Sequence, residues 1–391
     1  MKNTGGALVA KTLRRFGVKR LFTIPGHQTL SVLDGCLEEG ITVVSTRHEA
    51  AAVHMAEGTS FATREPGVAL LAGGPELTNG LTGLAKAFYA NTPLLVVSGV
   101  NPPKKLDRGF PQDMNQLELV RPFTKWSRCC FDVIRIPEYL GAAFRHATSG
   151  RPGPVYLEIP YDVLEETVRD GSVRFPEPGT RLRPGGDEAA LERARELLET
   201  AERPLAIAGS GVLWSGAEDE LTTFAEKSGV PLYTTNAALT LPSPPELVTG
   251  LGSPAGGRPS LNAIAEADLI LLFGTRVNFA LGFGREPFMS DAQKLVQFDI
   301  DAAEIGAHRP IDVGVAGDLK ATLTQFNQDL RITKDLESWK RRLSGEQESF
   351  EAALAPLFNS ERVPIHPMRL VRELETARKP DSFLVLDGAN S

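Results

Sequence analysis

Glu49 stands in the segment TRHEAAAVHMAEG, residues 46–58, directly after the apolar run ITVV. The pattern predicts a strand turning straight into a helix, with this carboxylate in the first turn. A glutamate there ordinarily caps the helix or complements its dipole. Here the run of alanines with Val53 and Met55 predicts a helix packed on most sides, so a carboxylate at its mouth is partly withdrawn from water. Such a group holds a proton more readily than an exposed one and is suited to trading it. His48 and His54 flank it on the same helix, where packing or surface roles are expected. Three further stretches carry residues fit for chemistry. IPGHQ holds Pro25, Gly26, His27 and Gln28; AGGPELTNG holds Gly74, Pro75, Glu76, Thr78 and Asn79; PQDMNQ holds Gln112, Asn115 and Gln116. Each has a plain alternative: a Pro-Gly turn, a capping Asn79, and a His27 or Gln28 that is structural or moves substrate protons.

These stretches share one kind of place in the chain. RLFTIPG, ITVVST, GVALLAGG and PLLVVSG are strand candidates separated by amphipathic segments, and RPGPVYLEIPYDV closes the series. That is the rhythm of an open parallel sheet with helices on both faces. The loops leaving the carboxyl ends of such strands converge on one crevice, which is where ligands bind. RDGSVRFPEPGTRLRPGGD then reads as a linker. The rhythm restarts with a helix at 188–200, strand PLAIAG, a helix at 217–228, strand PLYTT, a helix near Ala263, and strands ADLILLFG and KLVQFDI. The expected class is α/β, with doubly wound parallel-sheet domains at 1–168 and 187–330. A charged helical stretch, DLESWKRRLSGEQESFEAALA, leads to a third segment at 350–391 with the helix PMRLVRELETARK and one strand, SFLVLDG. One helix and one strand cannot make a doubly wound domain. The expectation is therefore an incomplete third domain, or one that another polypeptide completes.

Bulk composition narrows the classes. The 391 residues are 42% hydrophobic and 23% charged, which suits globular domains with full cores. A net charge of -7, with no basic stripe interleaved with aromatics, argues against nucleic acid. No apolar run reaches transmembrane length, and the N-terminus reads as an amphipathic helix without a signal-peptide core. The expectation is a cytoplasmic protein without a membrane partner. Cys36, Cys129 and Cys130 form neither a disulfide framework nor a CxxC metal site, and read as reduced structural thiols. GSGV with Trp214 is an incomplete GxGxxG, and no complete fingerprint opens the first domain, which argues against a dinucleotide dehydrogenase.

LFTIPG, TRHEAAAVHMAEG, GGPELTNGLTGLAKAF, PLLVVSG, PQDMNQLELVRPFTKW and RPGPVYLEIPYDV, in that order, resemble the pyrimidine-binding domain of thiamine-diphosphate enzymes of the acetolactate synthase-like superfamily. GSGV, ADLILLFGTRVNFALGFG and VQFDIDAAEIGAHRPIDVGVAGD resemble their central domain, closest to the benzaldehyde lyase and 2-hydroxyacyl-CoA lyase branches. FLVLDGANS resembles the first strand of their diphosphate-binding domain. The resemblance implies that Glu49 hydrogen-bonds the pyrimidine nitrogen and favours the tautomer that deprotonates the thiazolium carbon, which then attacks a carbonyl. Pro25 and Gly26 match the turn that approaches a partner subunit's cofactor. Gly74, Thr78 and Asn79 match the Gly-Pro-Gly-x-x-Asn loop, although Glu76 stands where glycine is usual and Ala72 where Thr or Ser is usual. Glu76 would then either strengthen Glu49's hold on a proton or point to solvent. Gln112 aligns with a glutamine lining the substrate side. Arg276 matches a position that contacts ADP or FAD in some branches, or else braces a domain interface.

The family's Mg2+ motif, Gly-Asp-Gly with a later Asn-Asn, finds no counterpart, so a metal site is expected outside this segment and none within it. The expected function is a thiamine-diphosphate-dependent lyase, decarboxylase or carboligase acting on a small molecule: a 2-keto acid, 2-hydroxy ketone or 2-hydroxyacyl-CoA. The alternatives are an acetolactate synthase-like synthase, and a non-catalytic subunit or fragment of a split enzyme. A homo-oligomer, dimer or tetramer, is implied, with a separate diphosphate-binding subunit as a further candidate partner.

Overall fold

The computed structural model describes residues 3–169, 171–235, 248–252 and 256–385. It divides into two compact units, Met1–Pro184 and Gly185–Ser391. In the first, α1 (Gly5–Arg15) is followed by β1 (Arg20–Thr23), α2 (Leu30–Glu38), β2 (Thr42–Ser45), α3 (Glu49–Thr63), β3 (Gly67–Leu71) and α4 (Pro75–Ala90). Then come β4 (Leu94–Val100), α5 (Gln116–Val120), β5 (Trp126–Cys129), α6 (Ile136–Thr148), β6 (Pro154–Pro160) and α7 (Tyr161–Glu165). The six strands form one sheet in the order β2-β1-β3-β4-β6-β5, parallel throughout.

Burial follows the strand order. β3, β4 and β6 are buried at every residue, whereas β2 and β5 at the two edges are only partly covered. Strands covered on both faces need unbroken apolar runs, which GVALL and LLVVSGV supply. The edge strand β5, WSRC, carries no such run, and the sequence pattern does not announce it. The stretch after α7 is not free of the unit. Val168, Val173 and Phe175 pack against the core that includes Leu8, Leu13 and Phe144, and the Arg15 guanidinium lies 4.8 Å from the centre of the Phe175 ring.

The second unit repeats the architecture. α8 (Glu188–Thr200), β7 (Pro204–Ala208), α9 (Ser210–Ser215), α10 (Glu218–Ser228), β8 (Leu232–Thr234), β9 (Val248–Leu251), α11 (Gly257–Glu266), β10 (Leu269–Phe273), β11 (Lys294–Asp299), β12 (Val313–Ala316) and α12 (Leu319–Gln328) build a second parallel sheet. Its order is β12-β11-β10-β7-β8-β9. Phe224, Phe273, Phe298 and Phe326 form an aromatic cluster in its core, with ring centroids 4.8–6.0 Å apart along the chain of contacts. Two helices follow, α13 (Glu337–Phe358) and α14 (Pro367–Ala377). α13 is anchored by Trp339, which is buried and donates its indole N–H to the Pro204 carbonyl at 3.0 Å. SFLVLDG was expected as a strand. Residues 382–385 are not one, and Phe383 is 97% exposed; residues 386–391 lie outside the described residues. A parallel strand exists only through its ladder, and no described strand pairs with 382–385.

In the first sheet β1 has β2 on one side and β3 on the other, so the chain reverses its winding direction between β1 and β3. Such a switch point, at the carboxyl ends of the two strands, is the usual place for a ligand crevice in an open α/β sheet.

Candidate functional site

Glu49 is the first residue of α3, at the carboxyl end of β2 and beside that crevice. His48 caps the helix through Nδ1, which accepts from the Ala50 amide at 3.2 Å. The cap leaves the Glu49 carboxylate free of that duty. Glu49 is 8% exposed, and its Oε2 accepts a hydrogen bond from Asn79 Nδ2 at 2.9 Å. Among the described residues Oε1 accepts none. Asn79 reaches Glu49 because α3 and α4 lie unusually close. A Cβ on Gly83 would sit 2.6 Å from Val53 Cγ1, so a side chain there would push the helices apart. Further down α3, the buried Glu57 takes the Lys86 ammonium of α4 at 2.7 Å and holds the pair together.

The turn between β3 and α4 is held by two glutamines. Gln28 Oε1 accepts the Gly73 amide at 2.6 Å, and Gln116 Oε1 accepts the Gly74 amide at 2.7 Å. Both side chains are almost wholly buried. Gly74 has φ +77 and ψ -126, and a Cβ there would meet Gln112 Cβ at 2.8 Å, so both backbone and space demand glycine. Gly26 is constrained by space alone: its backbone is extended, and a Cβ there would lie 2.5 Å from that of Ala72, where the turn after β1 meets the turn after β3. Gln28, a candidate proton carrier by sequence, is instead committed: its amide donates to Asn101 Oδ1 at 3.2 Å while its oxygen holds Gly73.

The remaining candidates sort themselves around this turn. Gln112, itself at φ +64, donates to both Glu76 oxygens at 3.1 and 3.2 Å. Glu76 therefore neither points to open solvent nor joins Glu49; it is bound by Gln112 at the start of α4. Thr78 is exposed and its hydroxyl donates to the Pro75 carbonyl at 2.9 Å. Pro25 is exposed beside Gly26. His27 is exposed and makes no hydrogen bond or ion pair among the described residues; its ring meets Tyr161 edge-on at 5.9 Å, and Lys105 donates to the Tyr161 hydroxyl. The structure thus joins Glu49 to Asn79, sets Gly26 against Ala72 and Gly74 against Gln112, and turns His27 toward Tyr161.

Sequence reasoning missed the groups beneath the turn. Gln116 Nε2 donates to Tyr156 Oη at 3.1 Å and Glu158 Oε2 at 3.2 Å, and the Tyr156 hydroxyl donates to the same Glu158 oxygen at 3.1 Å. Burial pushes the Glu158 carboxyl above its ordinary range, against the lowering effect of these hydrogen bonds, and holds the Tyr156 phenol far above its own. A signal was available: a lone carboxylate inside the apolar strand PVYLEIP is an anomaly that calls for partners. Burial likewise pushes the thiols up, Cys36 to about 12 and Cys130 to about 11, which makes them poor nucleophiles.

In the second unit the winding reverses between β7 and β10. There the glycines of GSGV serve close packing: a Cβ on Gly209 would lie 2.5 Å from the Gly274 carbonyl oxygen, and one on Gly211 2.6 Å from Gly274 Cα. Arg276 follows in the same turn. Among the described residues no group of three or more His, Cys, Asp and Glu side chains could hold a metal ion, and no helix is long and apolar enough to cross a membrane.

Comparison with known proteins gives matches across both units. Residues 3–119 match the family model described as thiamine pyrophosphate enzyme, N-terminal TPP binding domain, and residues 191–326 the one described as its central domain. The chain is 32% identical over 388 residues to a probable acetolactate synthase large subunit of Methanocaldococcus jannaschii, covering 97% of this chain and 65% of that one. It is 32% identical over 391 residues to a probable acetolactate synthase of Mycobacterium bovis, covering 98% and 69%. To a 2-hydroxyacyl-CoA lyase of Arabidopsis thaliana it is 31% identical over 406 residues, covering 99% and 69%. The chain spans about two thirds of the length of these relatives.

Proposed function

Because this chain belongs to the thiamine pyrophosphate enzymes of the acetolactate synthase-like superfamily, we propose that its first unit holds the pyrimidine half of thiamine diphosphate at the β1/β3 crevice for C–C bond cleavage or formation. One observation carries this: a nearly buried Glu49 with one carboxylate oxygen fixed by Asn79 and the other without a partner among the described residues. Such a group fits a ring nitrogen that shares a proton with it, and the glycines at 26 and 74 let the neighbouring turns pack closely against Ala72 and Gln112. When bound, thiamine diphosphate supplies a carbon nucleophile and an electron sink. Glu49 then holds or moves the proton at the pyrimidine nitrogen, Asn79 keeps its carboxylate aimed, and the Gly73–Gly74 turn lines the ring. Gln112, tied to Glu76, is assigned to the substrate side.

The substrate class inferred is a 2-keto acid, 2-hydroxy ketone or 2-hydroxyacyl-CoA, handled by a lyase, decarboxylase or carboligase. Acetolactate synthase chemistry is the second reading, favoured by the names of two of the relatives. Mg2+ is assigned to a diphosphate-binding domain outside these residues, and a homodimer or tetramer is inferred because cofactors of this family lie between subunits. For the second unit, the glycine contacts at β7 and β10 support internal packing of the two turns, and neither ADP nor FAD is assigned. The test is a titration of the chain with thiamine, followed by NMR at the Glu49 and Asn79 amides. Saturable shifts that vanish in Glu49→Gln support the site; equal shifts in both proteins place it elsewhere.

A further inference from the structure

We propose that Glu158 is a positioning residue of the thiamine site, acting through Gln116 to hold the Gly74 amide; this rests on the proposed role of the Gly73–Gly74 turn in lining the cofactor. A glutamine side chain has two orientations that differ by exchanging its oxygen and its NH2 group. Only one suits the turn, because the Gly74 N–H needs an oxygen opposite it, and that bond is 2.7 Å long. What selects this orientation is the other end of the amide. Gln116 Nε2 faces three oxygens, Glu158 Oε2 at 3.2 Å, Tyr156 Oη at 3.1 Å and the Gly99 carbonyl at 3.4 Å. Reversing the amide would set an oxygen against the carboxylate and a carbonyl while leaving Gly74 facing a donor.

Glu158 is the strongest of the three acceptors and is itself held by the Tyr156 hydroxyl. It sits on β6, two strands away from β3, where it touches no part of the turn directly. Glu158, Tyr156 and Gln116 are 6%, 0% and 1% exposed, so water offers no substitute acceptor. The cost of burying this carboxylate argues against a purely stabilising role, since an apolar side chain would fill a central strand without that cost. The neighbouring amide provides an internal control. Gly73 is held by Gln28, whose side chain bonds Asn101 and shares no hydrogen bond with Gln116, Tyr156 or Glu158.

The experiment measures amide proton exchange and chemical shift of Gly73 and Gly74 in the full 391-residue chain with glycine-selective 15N labelling. In Glu158→Leu the Gly74 amide should exchange about tenfold faster and its proton move upfield, with Gly73 unchanged. Glu158→Gln, which keeps an acceptor oxygen, should leave both amides as in the wild type. Should Glu158→Leu not fold, Tyr156→Phe removes one of the three acceptors and should speed Gly74 alone by a few-fold. Parallel changes at both glycines, no change at either, or failure of Glu158→Gln to preserve Gly74 would overturn the proposal. No thiamine enters the measurement, so its failure is separate from a failure of the cofactor titration.

Discussion

Glu49→Gln is nearly isosteric, keeps an oxygen for Asn79 Nδ2, and removes only the capacity to carry charge and share a proton. In the catalytically competent enzyme it should lower turnover by about a hundredfold or more with little change in melting temperature, read by steady-state kinetics beside a thermal melt. His27→Ala should leave turnover within a few-fold, because that exposed ring touches Tyr161 and no part of the Glu49 cluster. A lost limb in the pH–rate profile of that variant would return His27 to the chemistry. Glu158 carries a pH prediction of its own. Burial holds its carboxyl above 4.5, the ordinary value. Above the raised value both folded and unfolded chains are charged, but only the folded one buries the charge, so folding is disfavoured there. As pH falls through the raised value the folded carboxyl takes a proton and the penalty fades; below about 4.5, where the unfolded chain is protonated too, it is gone. Glu158→Gln should therefore melt higher than the wild type near pH 8, and the gap should close toward pH 4. Glu49 was legible in the sequence because a carboxylate interrupts small residues at a strand–helix junction. The roles of Gln28 and Gln116 were not, because a glutamine side chain carries no sign of which backbone amide it will hold.

At the scale of elements, the site depends on how closely α3 can lie on the sheet. Gly67 opens β3 directly under Ala56, and a Cβ there would fall 1.9 Å from the Ala56 carbonyl oxygen, which is backbone and cannot swing away. Gly67→Ala should destabilise the chain by about 1–3 kcal/mol. It should also weaken thiamine binding more than Gly58→Ala, whose added methyl meets nothing within 4 Å. Chemical denaturation together with the thiamine titration checks both. The central strands β3, β4, β7 and β10 were readable as apolar runs because both of their faces are covered. The edge strands β5, β9 and β12 escaped notice. WSRC and VTGL carry no unbroken apolar run, and VGVA alternates buried and exposed. Helix α8 was readable to the residue, since Asp187 accepts from the Ala190 amide and marks its start as a cap should.

At the scale of the molecule, each unit has its own core. Leu8, Leu70, Val97 and Leu157 belong to the first, and Leu197, Phe224, Leu271 and Phe298 to the second. Residues 1–184 expressed alone should fold and melt cooperatively by circular dichroism, and a broad, non-cooperative melt would contradict this. A ribosome delivers this chain from the N-terminus, and the strand order then acquires a meaning in time. β6 lies between β4 and β5. When β5 leaves the exit tunnel it therefore has no neighbour to pair with, and it stays so until residues 154–160 have been made. During that interval its unpaired backbone is open to any other nascent strand, a hazard that rises with length and apolar character. Four residues with an exposed Arg128, preceded by Lys125, make a poor template for such pairing. The traits that hide β5 from a sequence reader thus also shield it from wrong partners while it waits for β6.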